Sequence, residues 1–171
     1  MISILLALST APRAHAADAC AAFDVQADKF GAGTNVTANV QGLSQFTAIG
    51  ITLEVKTGQA ELTLTAKTGG AVSAKVAAGA ELPFRFGDGT VKTLVTNRDS
   101  AMTSYVGQDQ VMTLVPYAIG LDAATLTLMA AQPVTAIRFP LPSGPYDWDA
   151  NKGVQKKLMA AAACAQQYAA K

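Results

Sequence analysis

Chemistry in a protein chain needs a nucleophile, a titrating group or a metal ligand, and this sequence is sparing with all three. Its one histidine is His15, and its two cysteines are Cys20 and Cys164. His15 lies in a leading segment expected to be removed. The remaining chain then cannot assemble a Ser-His-Asp or Cys-His arrangement, nor a zinc or copper site that depends on imidazole. With the cysteines bonded to each other, no thiolate remains as nucleophile or ligand. No serine stands three residues before a lysine in the Ser-x-x-Lys pattern. Gly31-Ala32-Gly33 and Gly87-Asp88-Gly89 lack the further glycines and the Lys-Ser or Lys-Thr of a phosphate loop. No cofactor and no metal is expected.

Carboxylates are what is left. Asp147, Asp149 and Asn151 copy the opening of a calcium loop, but Lys152 stands where its glycine belongs and Leu158 where its bidentate glutamate belongs. Capping of the last helix by Asp147 or Asp149 is the simpler expectation. A pair of acids for glycoside hydrolysis would have to come from Asp88, Asp99, Asp109 and Asp122. Their spacing does not select any two of them.

Aromatic residues offer a different kind of site. Phe139, Tyr146 and Trp148 cluster around Arg138 and the turn Pro140-Leu141-Pro142-Ser143-Gly144-Pro145. Aromatic rings and arginine on a stiff hairpin are the residue types that dominate binding hot spots. These four residues form the candidate contact surface. The competing expectation is that the rings cap the end of the sheet and that Arg138 pairs with a carboxylate. Phe84, Phe86 and Tyr105 are expected in the core, with Met102, Met112, Met129 and Met159 as core filler.

The elements that must position these residues are mostly strands. Asn35–Val40, Phe46–Lys56, Glu61–Lys67, Glu81–Phe86, Thr90–Thr96, Gln110–Gly120 and Val134–Phe139 alternate or run apolar as strands do. Gly58 marks a turn, and Gly69-Gly70 predicts a two-residue hairpin leading to a further strand over Val72 and Val76. Gly87-Asp88-Gly89 predicts another hairpin. Pro116 argues for an edge position or a bulge. Ala19–Phe30 reads as weakly helical or irregular, and Thr96–Gly107 as a polar loop. Asp122 is an N-cap for a short helix near 123–131, with Leu121, Leu126 and Met129 on its buried side. A C-terminal helix near 150–168 buries Val154, Leu158, Ala161, Ala165 and Tyr168 on one face, with Cys164 at the margin. The fold class is mainly β (α+β): an antiparallel β-sandwich or curved sheet of about seven short strands, with helices at one end.

Residues 1–16 read as a signal peptide. Ile2–Leu8 is apolar and Ala14-His15-Ala16 fits an A-x-A cleavage site, although no Lys or Arg precedes the apolar run. No other stretch approaches the roughly 18 apolar residues of a membrane span. Residues 17–171 then form a single exported β-rich domain, since about 155 residues suit one core. Removing Arg13 takes the 13 Lys+Arg to 12, against 12 Asp+Glu, a formal charge of zero. Without a basic stripe, nucleic acid is not an expected partner. Two cysteines in an exported chain predict a Cys20–Cys164 disulfide closing almost the whole fold. The expectation is a non-enzymatic periplasmic or secreted domain that binds a protein or envelope component. The alternative is a carboxylate-dependent hydrolase acting on envelope glycan.

Overall fold

A computed structural model describes residues 19–27, 33–44, 47–107 and 109–169. The predicted signal peptide over residues 1–16, with His15, lies outside them. Two antiparallel sheets make up most of the fold. The first contains, in order across the sheet, β1 (Asp24–Ala27), β2 (Thr34–Gln41), β3 (Ile49–Lys56), β4 (Gln59–Gly69), β10 (Gln110–Leu121) and β9 (Thr103–Gly107). The second runs β12 (Gly144–Asp149), β11 (Val134–Leu141), β6 (Glu81–Phe86) and β7 (Val91–Val95). A small ladder joins β5 (Lys75–Val76) to β8 (Ser100–Ala101). Helices α1 (Ala123–Ala131) and α2 (Lys152–Ala169) complete the described residues, and neither is long and apolar enough to cross a membrane.

Period-two patterning builds the core directly. Ile49, Ile51, Leu53 and Val55 of β3 are buried, as are Ala60, Leu62, Leu64 and Ala66 of β4, with polar residues between them. Side chains alternate across a strand, so each apolar set faces one way. The two strands join through Thr57 and Gly58, both at positive φ (50° and 77°), which matches the twist of a two-residue hairpin. Leu82, Phe84 and Phe86 of β6 and Val134, Ile137 and Phe139 of β11 supply the second sheet's buried face. Helix α2 buries Val154, Leu158, Ala161, Ala162, Cys164 and Ala165. It packs on β2, β3, β4 and β11 and on α1.

Cys164 bonds Cys20 with Cα atoms 5.0 Å apart across a sequence separation of 144 residues. Closing a loop that long removes about 5 kcal/mol of unfolded-state entropy in the chain-entropy treatment. Asp122 caps α1, its carboxylate accepting the Thr125 amide at 2.6 Å. Leu121, Leu126 and Met129 are all buried beneath that helix.

Several strands differ from the sequence expectation, and each difference has a physical reason. Asp24–Ala27 is a strand, not a weak helix, and all four of its residues are exposed. It buries nothing, so its sequence carries no apolar period to read. The segment 96–107 was expected as a loop and contains β8 and β9, the latter exposed over nearly its whole length. Tyr105, expected in the core, is 42% exposed there. Gly69-Gly70 does not close a hairpin. The Gly70 amide donates to the Val111 carbonyl and its own carbonyl accepts the Thr113 hydroxyl, which keeps Gly70 on β10 while the chain crosses over. The next strand, β5, therefore pairs with β8 and not with β4. The proline-rich segment is not all turn: Pro140 and Pro145 face each other within the β11–β12 ladder, leaving only Pro142-Ser143 between the strands. Pro116 sits in β10 beyond Leu114, the last residue paired to β9, where the missing amide takes no bond from the sheet.

Candidate functional site

The β11–β12 hairpin carries all four candidate residues, and strand alternation sends them to different places. Ile137 faces Trp148 and Phe139 faces Tyr146 on the inner side, while Arg138 faces Asp147 on the outer side. Phe139 is fully buried, so it belongs to the core and not to a contact surface. Its ring lies 5.6 Å from that of Tyr117 on β10 and 6.5 Å from that of Tyr146. Tyr117 is itself buried, and its hydroxyl donates to the Pro140 carbonyl at 3.1 Å. Desolvation pushes that phenol up to about 12. One buried tyrosine of the first sheet thus holds the hairpin of the second. Tyr146 is 38% exposed at the rim, and Trp148 is half-buried against the core.

The outer face is built from ion pairs. Arg138 grips Asp147 with two of its guanidinium nitrogens, Nε to Oδ1 at 2.6 Å and Nη2 to Oδ2 at 2.7 Å. The bond to Arg138 holds the Asp147 carboxyl below its ordinary range, and the same bond raises the guanidinium further. Arg85, between the buried Phe84 and Phe86, reaches Asp149 at 3.4 Å. With Pro83, Val91 and Ala136 these four side chains line a shallow groove of about 410 Å³. Val91 and Val95, on the neighbouring β7, are 60% and 50% exposed. Neither aspartate caps α2. That role falls to Asn151, whose Oδ1 accepts the Val154 amide at 3.0 Å. All three members of the D-x-D-x-N run are therefore engaged with the protein itself.

No protein-family model matches the sequence, and no curated protein or solved structure is detectably similar to it. The function must be argued from these side chains.

The four acids considered for hydrolysis sit in separate turns. Asp88 accepts the Thr90 amide in the β6–β7 turn, which lowers its pKa. Asp99 is bonded to Lys75 and to the Ala78 amide and is lowered by them, the lysine first. Asp109 holds a positive φ of 60° beside β10. Asp122 caps α1 and is lowered by the Thr125 hydroxyl and amide. Sequence reasoning missed Glu61, which shares with Asp122 a cleft of about 640 Å³ between the β3–β4 turn and the two helices. Glu61 accepts Arg98 at 2.5 Å and Asn97 at 3.1 Å. A glycosidase needs one carboxyl raised to act as acid. Of this pair, Asp122 is shifted the other way.

The outer-face residues Arg85, Asp147 and Asp149 were not singled out from the sequence as a contact surface. The available signal was alternation: Arg85 between two phenylalanines, and the aspartates interleaved with Tyr146 and Trp148.

Proposed function

We propose that this chain is a non-enzymatic, exported, periplasmic domain that binds a protein or envelope component through the outer face of its second sheet. The observation that carries this reading is the exposed pairing of Arg138 with Asp147 and Arg85 with Asp149, side by side in one groove with the exposed Val91. Exposed ion pairs add little to a fold, so they can open toward a partner at small cost. Arginine is among the residues most often found at binding hot spots. The β12–β11–β6 ladders fix the backbone beneath this face, which limits the ordering cost of association. Export is supported by the A-x-A site after an apolar run and by the Cys20–Cys164 bond.

The test is cross-linking capture from native envelope extract, with the retained species identified by mass spectrometry. A species bound by the native protein should be lost with Arg138→Glu, which places a carboxylate against Asp147. It should be kept with Lys56→Glu on the β3–β4 hairpin. Equal retention by both variants would remove the outer face from consideration.

A further inference from the structure

The first sheet ends on β9, and this edge is unlike the others. Thr103-Ser104-Tyr105-Val106-Gly107 contains no charge and no proline. By contrast β1 carries Asp24, β7 carries Lys92, and β12 carries Pro145, Asp147 and Asp149. Charges and prolines on edge strands keep foreign strands from pairing there. β9 has no such guard, and its apolar side chains stand in solvent: Val106 is 75% exposed, Tyr105 42%, and Val111 beside them on β10 40%.

Ladder alternation fixes which backbone groups of β9 point outward. On β10 the Val111 carbonyl accepts Gly70, on the β4 side, whereas the Ala118 carbonyl accepts the Asn97 amide, on the side away from β4. Odd-numbered residues of β10 therefore bond to β4, and even-numbered ones to the opposite neighbour. Met112 is even and faces Tyr105. Tyr105 thus bonds inward, while Ser104 and Val106 turn their amides and carbonyls outward. Among the described residues no backbone group meets these two donors and two acceptors. The free edge is bounded upstream by the crossing segment 72–74. The Met102 amide donates to the Ala74 carbonyl beside β5, and the Ser104 hydroxyl bonds the Val72 amide and carbonyl, which leaves only the backbone groups of Ser104 and Val106 open.

We propose that this edge pairs with β9 of a second copy of the chain, antiparallel, about a twofold axis at Tyr105. In that register Ser104 of each copy faces Val106 of the other, and each facing pair exchanges two N–H···O bonds. Every outward group of both strands is satisfied. The two Tyr105 residues face each other as a non-hydrogen-bonded pair, the closer kind, in which aromatic contacts stabilise a sheet. No like charges oppose within the strands, and the 12 Lys+Arg and 12 Asp+Glu that remain without Arg13 leave the copies little mutual repulsion. The interface is isologous and closes on itself, giving a dimer and not a filament. A five-residue strand buries far less than the roughly 1,200 Å² of a standard interface, so the dimer is weak and transient. Self-pairing at β9 is independent of what the outer face of the second sheet binds.

The test uses the intact, disulfide-bonded protein in sedimentation velocity from about 10 μM to about 1 mM, the range a small interface calls for. The native chain should show a reversible monomer–dimer equilibrium, and Val106→Lys should weaken it about tenfold or more by placing a lysine on the edge. Tyr105→Cys should form a disulfide-linked dimer under mild oxidation, because the axis brings the two Cβ atoms to about 5 Å. Val91→Cys on β7, at a more exposed position (60% against 42%), should not. The native cysteines are already paired and do not interfere. A monomer throughout the concentration range would overturn the proposal. So would cross-linking of Tyr105→Cys no faster than Val91→Cys. Slowed exchange of the Ser104 and Val106 amides by an added uncharged extended peptide, with the protein itself still monomeric, would assign the edge to a different chain and also refute self-pairing.

Discussion

Tyr117 offers the sharpest test of how the candidate surface is held in place. Its side chain is fully buried between the sheets, and its hydroxyl donates to the Pro140 carbonyl of β11 at 3.1 Å. In Tyr117→Phe that carbonyl loses its donor, which costs about 1–3 kcal/mol at neutral pH. Alkaline pH gives a second, independent readout. Burial raises the phenol from 10.0 to about 12 in the folded protein. A group whose folded pKa is raised contributes stability that is complete below the unfolded value and is lost as pH climbs to the folded one. The window is therefore pH 10 to 12, and the loss across it is at most about 3 kcal/mol. Urea denaturation at a series of pH values would measure both effects. Lysine deprotonation affects native protein and variant alike, so the difference between the two curves is the quantity to read. The variant should be less stable at neutral pH, and the gap should narrow above pH 10. Parallel curves through pH 11.5 would show that Tyr117 ionises as it does in the unfolded chain. The buried anchor between β10 and the hairpin would then be wrong.

Reducing Cys20–Cys164, or replacing both cysteines by serine, should lower unfolding stability by up to about 5 kcal/mol, measured by urea denaturation with and without reductant. Asn151→Ala should cost about 1 kcal/mol through loss of the α2 cap, while Asp149→Ala should leave thermal unfolding nearly unchanged; the reverse order would restore the aspartate as cap. Arg138→Ala removes the group that lowers Asp147. The stability Asp147 contributes is present above the ordinary carboxylate pKa and lost as pH falls through the lowered one, so native and variant melting temperatures should differ at neutral pH and converge in acid. A difference independent of pH would show that the pair is not electrostatic in effect.

How much of this was legible in the sequence depends on what each residue buries. Strands β3, β4 and β6 place an apolar side chain on every second position, and β11 does so from Ile137 onward, beyond a bulge near Thr135, so their existence could be read from that period. The disulfide was legible because the chain has only two cysteines to pair, and the short helix because capping by Asp122 is local chemistry. β1 and β9 escaped because nearly all of their residues face solvent, leaving pairing as their only signature. The candidate site was half legible. Composition located the hairpin, but treating Arg138, Phe139, Tyr146 and Trp148 as one cluster ignored the pleat, which buries Phe139 and turns Arg138 the other way. Arg85 joins them only through the β6–β11 pairing, a contact between segments far apart in the chain. Sequence patterning does not report such contacts.

Both candidate surfaces hang on a single strand. The first residues of β10, Gln110–Leu114, hold β9 at the sheet edge, and Tyr117 further along the same strand holds the β11–β12 hairpin through Pro140. Coupling between two sites requires an element with two discrete arrangements that both sites bias. β10 pairs with β4 from Met112 to Leu121 in unbroken register, and with β9 likewise, which leaves it no alternative register to move between. A strand fixed in that way positions two surfaces without linking them. Val106→Lys should therefore weaken self-association while envelope capture is unchanged, and Arg138→Glu should do the opposite. If either substitution altered both measurements, β10 would have to possess a second state that its continuous pairing argues against.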